Sequence, residues 1–303
     1  MSAGILTVGV VPKSTRNPYF EDCRLGAQEA AEELGFELSW DGPPVPDAHR
    51  QAQIVESWTN DRLPVIAVSV ESRTALSPVL KEARARGTKI LTWDSDGDAE
   101  ARDFTVVHAT PEAIGHALSF EVGRVLRGQG SFAAITSTLS APNQKVWLAE
   151  FKTRIAKDYP GIRLLEVVPC DDRAENARSE TLRLLEKHAD IKAIVGFCSP
   201  AVPGAAEALK AARRPDVRLT GVSLPSLCHA HIEDGVVDSV VIWKTRNLGY
   251  LVGMSAHALA TGGLVPGNAS LRAGRLGTVL VQKDEIRLGR CHIVTRGNLA
   301  QFN

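Results

Sequence analysis

The sequence predicts an α/β protein built from two doubly wound parallel-sheet lobes. Short apolar runs alternate with amphipathic stretches along most of the 303 residues, and this alternation restarts after the first hundred or so. Most of the apolar runs contain few polar residues, which is typical of strands that are covered on both faces. A chain of this length can hold two domains, each with its own core.

In the first half, predicted strands and predicted helices follow one another in strict order. The predicted strands are Ile5–Val11, Phe36–Trp40, Val65–Val70 and Lys89–Thr92. The predicted helices between them are Pro18–Leu34, Asp47–Asn60 and Ser72–Arg86. Gly35 and Gly87 each follow a predicted helix, where glycine commonly ends the helical conformation.

The same order continues in the second half. The predicted strands are Phe104–Val107, Phe132–Thr136, Leu164–Val168, Ile191–Phe197, Leu219–Val222 and Val236–Trp243. The predicted helices are Pro111–Leu126, Asn143–Lys157, Ala174–Lys187, Pro203–Ala212 and about 247–260. The tail from Gly277 to Val294 is predicted to be rich in β-structure.

The two predicted lobes are not separated by a linker or by a low-complexity segment. We therefore expect several crossover segments between the lobes and a ligand cleft at their interface. We predict a first lobe of residues 1–108 plus about 245–275, and a second lobe of 109–244 plus about 276–303.

Composition excludes several classes of protein. Lys+Arg and Asp+Glu both number 35, so the basic excess typical of nucleic-acid binders is missing and no nucleic-acid partner is expected. No apolar run approaches the roughly 20 residues that span a bilayer. No secretion signal precedes Ile5, so the protein is either cytoplasmic or had its signal segment removed.

The sequence predicts no catalytic residue, metal site or cofactor. It contains no P-loop, no nucleophile elbow and no glycine-rich dinucleotide motif after the first strand. The five cysteines form no Cys-x-x-Cys pair and are expected to be buried or semi-buried thiols. His108 falls at a predicted crossover, which favours a structural role.

The most informative string is Lys89–Asp96, in which an apolar strand ends in Trp93, Asp94 and Asp96. In open α/β sheets, ligands bind beyond the carboxyl ends of the strands. An aromatic ring covers the apolar face of a polyol, and a carboxylate accepts hydrogen bonds from its hydroxyl groups. The string therefore predicts a binding site for a small polyhydroxylated ligand.

Polar groups recur at the ends of other predicted strands in both lobes. They include Lys13, Asn17, Asn143, Gln144, Ser199 and Lys244, and the aromatic Phe20 accompanies the polar residues that follow the first strand. Each of them also has a purely structural interpretation, as a turn, a helix start or a solvated face. Packing in the core is also an open interpretation for Trp93. The prediction of a binding site therefore depends on the recurrence of polar residues at the strand ends.

Several strings resemble the periplasmic sugar-binding proteins of ABC transporters, of the ribose-binding type. They are Val11–Lys13, Asn17–Phe20, Gly26–Ala30, Trp40–Pro43, Ile90–Asp96 and, more weakly, Ala109–Glu112. The Trp40–Pro43 and Ile90–Asp96 strings are similar to the rhamnose-binding and autoinducer-2-binding branch. The resemblance implies the type I periplasmic binding protein fold, in which a hinge of three crossovers joins two lobes.

The binding positions of that family match this sequence better in the first lobe than in the second. In the first lobe, the family lysine falls on Lys13 and the binding aspartate falls on Asp94. In the second lobe, the acid–amide pair falls on Asn143-Gln144, so an amide replaces the acid. Two backbone positions fall near Phe197 and Ser199, which differ from the family residues.

A family carboxylate on the last crossover falls on Lys244, which reverses its charge. Two cations, Lys13 and Lys244, would favour an anionic ligand if both faced the cleft. The alternative is that Lys244 pairs with Asp94 or Asp96 or points to solvent. A neutral deoxyhexose, pentose or polyol is the leading ligand class, and the departures make autoinducer-2 itself a weaker candidate.

The resemblance implies a monomeric periplasmic or extracytoplasmic protein that carries a small carbohydrate to a membrane ABC permease by hinge closure. Two other classes remain open. A signalling receptor or a LacI-type effector domain shares the fold, and an enzyme on the same scaffold would turn over its bound sugar.

Overall fold

The computed structural model describes residues 5–302, and within them the chain forms two sheets flanked by helices. The expectation about a secretion signal concerns Met1–Gly4, which lie outside the described residues, as does Asn303. The strands are β1 (Thr7–Val11), β2 (Glu37–Trp40), β3 (Val65–Val68), β4 (Lys89–Trp93), β5 (Phe104–Val107), β6 (Gln129–Thr136), β7 (Gly161–Pro169), β8 (Ala193–Gly196), β9 (Arg218–Val222), β10 (Ser239–Ile242), β11 (Ser270–Arg272), β12 (Thr278–Gln282), β13 (Glu285–Arg287) and β14 (His292–Val294).

The helices alternate with these strands, as the sequence predicts. They are α1 (Pro18–Leu34), α2 (Ala48–Asn60), α3 (Arg73–Ala85), α4 (Pro111–Val125), α5 (Pro142–Asp158), α6 (Ala174–Lys187), α7 (Ala201–Ala212), α8 (Pro225–Glu233) and α9 (Thr245–Thr261). The predicted α/β class with two parallel-dominated sheets is confirmed.

The chain divides into two compact units. Within the described residues, unit 1 consists of 5–109, 140–143 and 244–289, and unit 2 consists of 110–139, 144–243 and 290–302. The sequence assigned about 276–303 to the second lobe, whereas the structure groups 276–289 with unit 1. The reason is that β12 pairs with β13, which in turn pairs with β5 in the sheet of unit 1.

The sheet of unit 1 has the strand order β11-β12-β13-β5-β4-β3-β1-β2. The pairings of β2, β1, β3, β4, β5 and β13 are parallel, and the pairings of β11 and β12 are antiparallel. On one face, buried side chains of the sheet such as Val11 and Ile66 pack with Ile54 and Val55 of α2 and Leu76 of α3. The sheet therefore brings the carboxyl ends of β1, β3 and β4 to one edge.

Helices α1 and α9 of unit 1 approach each other through glycine. A Cβ atom on Gly26 would lie 1.9 Å from the carbonyl oxygen of Arg246, and one on Gly249 would lie 1.8 Å from that of Cys23. Such distances exclude any side chain at either position, so the close packing of these helices depends on both glycines.

The sheet of unit 2 has the order β14-β10-β9-β8-β6-β7, with only the β10–β14 pairing antiparallel among the described strands. Helix α8 was not predicted, because its sequence PSLCHAHIE contains several weak helix formers. Pro225 in the first turn of α8 is a helix-start signal, and the sequence analysis did not use it.

No helix within residues 5–302 is long and apolar enough to cross a membrane.

Candidate functional site

The candidate site is a cluster of buried polar side chains in unit 1, centred on Asp94 at the end of β4. The strand ends at Trp93, and Asp94 adopts a left-handed conformation with φ of 60°. Aspartate tolerates this region better than most residues, and such backbone strain is often found at functional sites. The backbone N–H of Asp94 still donates to the Val106 carbonyl at 3.1 Å, which anchors the turn to β5.

Four neighbouring side chains surround the Asp94 carboxylate. Tyr19 Oη donates to Oδ1 at 2.7 Å and Ser69 Oγ donates to Oδ2 at 3.0 Å. The Lys13 ammonium lies 3.7 Å from Oδ2, and the Asn143 amide donates to the same oxygen at 3.4 Å. The carboxylate is thus held in an ionised form by one cation and several donors.

Lys13 joins two members of this cluster. Its Nζ donates to Asn143 Oδ1 at 3.1 Å while it faces Asp94, and its side chain is only 4 % exposed. A charge that is this deeply buried needs a partner of opposite sign. The charges of Lys13 and Asp94 therefore compensate each other, and the pair has no net charge.

His108 completes the surroundings of Asp94. Its Nδ1 accepts from the Ala109 backbone N–H at 2.8 Å, so the ring proton is assigned to Nε2, which lies 3.5 Å from Asp94 Oδ1. The sequence interpretation gave His108 a structural role at a crossover, whereas the structure places its Nε2 beside the site carboxylate.

The pKa of Asp94 reflects two opposing effects. Burial alone would raise the pKa, but Lys13, His108 and Tyr19 outweigh it and lower the pKa from 3.8 to about 2. Asp94 is therefore fully ionised at neutral pH, and its carboxylate acts as a hydrogen-bond acceptor.

This shift predicts an acid dependence of folding stability. The folded-state pKa lies below the unfolded value, so Asp94 contributes stability above pH 4 that is lost as the pH falls towards 2. The contribution is about 2 kcal/mol. Urea titrations between pH 5 and pH 2 should show a steeper loss of unfolding free energy in the wild type than in Asp94→Asn. Parallel curves for the two proteins would contradict the shift.

The remaining predicted residues of unit 1 lie in different surroundings. Asn17 is the N-cap of α1 and accepts from the Tyr19 backbone N–H at 3.0 Å. Trp93 is wholly buried, with its ring centroid 5.7 Å from Phe20 and 5.8 Å from Trp40. In this arrangement the Trp93 and Phe20 rings pack against each other beside Asp94, and their contact with a sugar face remains a prediction.

Lys244 is exposed at the N-terminus of α9, where it forms no ion pair with any residue between 5 and 302. Asp96 instead pairs with Arg102 through bonds of 2.7 and 2.9 Å. The structure therefore contains no pairing of Lys244 with Asp94 or Asp96, and a contact of this exposed side chain with a ligand remains a prediction.

Three predicted residues belong to unit 2. Gln144 Oε1 accepts from the Ser137 backbone N–H at 2.7 Å, and it also accepts from Thr136 Oγ1. The Ser199 carbonyl accepts from Ser223 Oγ at 2.7 Å. Phe197 is buried, with its ring edge-to-face against Phe151, and its predicted ligand contact remains a prediction.

Sequence reasoning missed Tyr19 and Ser69 as partners of Asp94. Ser69 directly follows β3, and β3 pairs with β4 in parallel register, so its position beyond a neighbouring strand was a usable signal. Tyr19 lies in the first turn of α1, where only the fold brings its hydroxyl to Asp94. No group of His, Cys, Asp and Glu side chains suited to a metal ion occurs among residues 5–302.

The chain belongs to the periplasmic binding protein family. The sequence pattern of the periplasmic binding protein domain matches residues 8–264. This confirms the family resemblance that was based on the strings around Lys13 and Asp94.

Three known proteins illustrate the similarity. The D-apiose import binding protein of Actinobacillus succinogenes is 23% identical over 297 residues, which cover 98% of this chain and 90% of that protein. An ABC transporter solute-binding protein from Clostridium phytofermentas, solved with L-rhamnose, is 25% identical with a TM-score of 0.93. The match covers 99% of this chain and 98% of that protein. LsrB from Clostridium saccharobutylicum, solved with AI-2, is 24% identical with a TM-score of 0.93 and coverage of 98% and 100%, which shows the shared fold.

Proposed function

We propose that this protein is an extracytoplasmic solute-binding protein that captures a small neutral carbohydrate for an ABC permease. The observation that carries the proposal is the buried, ionised Asp94 held by Lys13, Tyr19, Ser69 and Asn143 at the end of β4. Membership of a family of solute-binding proteins, and relatives that bind apiose and rhamnose, support the same role.

In this proposal, Asp94 accepts from ligand hydroxyl groups, while Lys13 and Asn143 donate to ligand oxygens. Charge-assisted hydrogen bonds of this kind are about twice as strong as neutral ones. Gln144 and Ser199 remain proposed contacts of the second lobe. The protein works as a monomer without a cofactor, and binding shifts its conformational population towards a ligand-bound form that the permease recognises.

Charge balance favours a neutral ligand. Lys13 already compensates Asp94, and Lys244, the second cation that an anionic ligand would need, is exposed. An anionic group placed against Asp94 would be repelled and would have to lose its hydration. The proposed ligand is therefore an uncharged pentose, deoxyhexose or polyol.

The experiment is a calorimetric titration with a panel of neutral pentoses, deoxyhexoses and polyols, together with sugar acids and sugar phosphates. A neutral sugar should bind at one site and be recovered unchanged. Recovery of a converted product would replace the transport proposal by an enzymatic one.

A further inference from the structure

Two cysteine thiols of unit 2 lie in contact. Cys170 directly follows β7 and Cys198 lies two residues beyond β8, and their Sγ atoms are 3.4 Å apart. Both residues are buried, with exposed fractions of 0% and 5%. The sequence analysis found no Cys-x-x-Cys pair, and the 27 residues between these two cysteines gave no sign of their contact.

The backbone fixes both thiols near the end of β6, which lies between β7 and β8 in the sheet. The Cys170 N–H donates to the Thr136 carbonyl at 2.8 Å, and the Phe197 N–H donates to the Ile135 carbonyl at 2.7 Å. The Cys198 carbonyl accepts from Ala201 at 3.0 Å, at the start of α7. The contact therefore follows from the strand order, and a disulfide would require the two sulfur atoms to approach to about 2.0 Å.

The other three cysteines have different surroundings. Cys228 Sγ donates to Ser223 Oγ at 3.3 Å, and Cys291 Sγ donates to the Ala113 carbonyl at 3.7 Å. Cys23 is buried in α1 of unit 1. Among residues 5–302, only Cys170 and Cys198 bring two sulfur atoms together.

We propose that Cys170 and Cys198 form a disulfide bond in the mature protein. The proposal rests on the extracytoplasmic location in the proposed function, because disulfides form and persist in oxidising compartments. The bond would tie the segment of Phe197 and Ser199 to the turn that follows β7, and so restrain a segment to which we assign a ligand contact.

The oxidant is an external disulfide, either of a thiol–disulfide oxidoreductase or of a small molecule such as oxidised glutathione. One cysteine thiolate attacks this disulfide, forms a mixed disulfide and releases one thiol. The second cysteine then displaces the other half, so that two electrons and two protons pass from the cysteines to the two released thiols. Burial raises the pKa of Cys198 well above its usual value, so the exchange takes place before folding buries the pair.

The test is refolding of the full chain from denaturant in a mixture of reduced and oxidised glutathione, followed by alkylation under denaturing conditions and mass spectrometry. We expect three of the five cysteines to be alkylated and a proteolytic fragment that links Cys170 to Cys198. Reduction should lower the melting temperature of the wild type by about 5 °C. The same treatment should leave the melting temperature of Cys170→Ser unchanged.

The control variant is Cys228→Ser, which removes a buried thiol outside the pair and should retain the link. Alkylation of all five cysteines in the refolded wild type, or a link that contains Cys23, Cys228 or Cys291, would overturn the proposal. Since no sugar is involved, this result is independent of whether the proposed ligand binds.

Discussion

Replacing Asp94 by asparagine is expected to weaken sugar binding at least about tenfold, equivalent to about 1.4 kcal/mol or more. The side chain keeps its shape but loses the charge that strengthens hydrogen bonds from ligand hydroxyl groups. Titration calorimetry of the wild type and of Asp94→Asn with the same sugar measures the difference.

The matched control is Asp96→Asn, which changes a second carboxylate in the same string. Asp96 pairs with Arg102, and Arg102 also contacts Asp284 at 2.7 Å. Asp96→Asn should therefore reduce stability but change affinity by no more than about twofold, which is within about 0.4 kcal/mol. Equal losses of affinity in the two variants would show that Asp94 acts only through folding.

A double variant separates binding from stability at Asp94. Asp94→Asn alone leaves the Lys13 ammonium buried without its carboxylate, which costs about 3–5 kcal/mol in comparable pairs. The combination with Lys13→Met removes both charges and should recover much of that stability. Binding should stay weak, because the double variant lacks both proposed contacts.

A second large effect on stability is expected for Gly249→Ala. Helix propensity alone predicts a gain of about 1 kcal/mol, because alanine is the better helix former. Packing predicts the opposite, since the new methyl group would lie 1.8 Å from the Cys23 carbonyl oxygen and would force α1 and α9 apart. We expect a net loss of about 3 kcal/mol in unfolding free energy, measured by urea denaturation.

Gly263→Ala is the control for this substitution. Gly263 lies just beyond the end of α9, and the nearest atom to an added Cβ is 3.7 Å away, which is an ordinary contact. Its effect should stay within about 0.5 kcal/mol. If Gly249→Ala were as stable as the wild type, the close approach of α1 and α9 would be refuted.

The strand and helix order was predictable because buried parallel strands and amphipathic helices have distinct apolar patterns. The pairing of β13 with β5 was not predictable, because β13 returns to the first sheet from far along the chain. The local sequence pattern did not predict α8 either, because several of its residues are weak helix formers.

The candidate site was predictable in part. Asp94 directly follows β4 and Lys13 lies two residues beyond β1, so their position beyond the sheet edge could be inferred from sequence. The complete burial of Trp93 against Phe20 could not be predicted, because the same sequence pattern fits a buried ring and an exposed one. The Cys170–Cys198 contact was also hidden, because strand order rather than sequence spacing creates it.

The measurement that tests the central claim most directly is a calorimetric titration that compares a neutral sugar with its own acid and phosphate. The best neutral pentose or deoxyhexose of the panel is measured at pH 7 beside its aldonic acid and its phosphate ester. We predict binding of the neutral sugar at one site, with affinity at least about tenfold higher than that of either anion, because Lys13 is already paired with Asp94. Binding of the anions alone, or of none of the three compounds, would contradict the assignment of this protein as a receptor for a neutral carbohydrate.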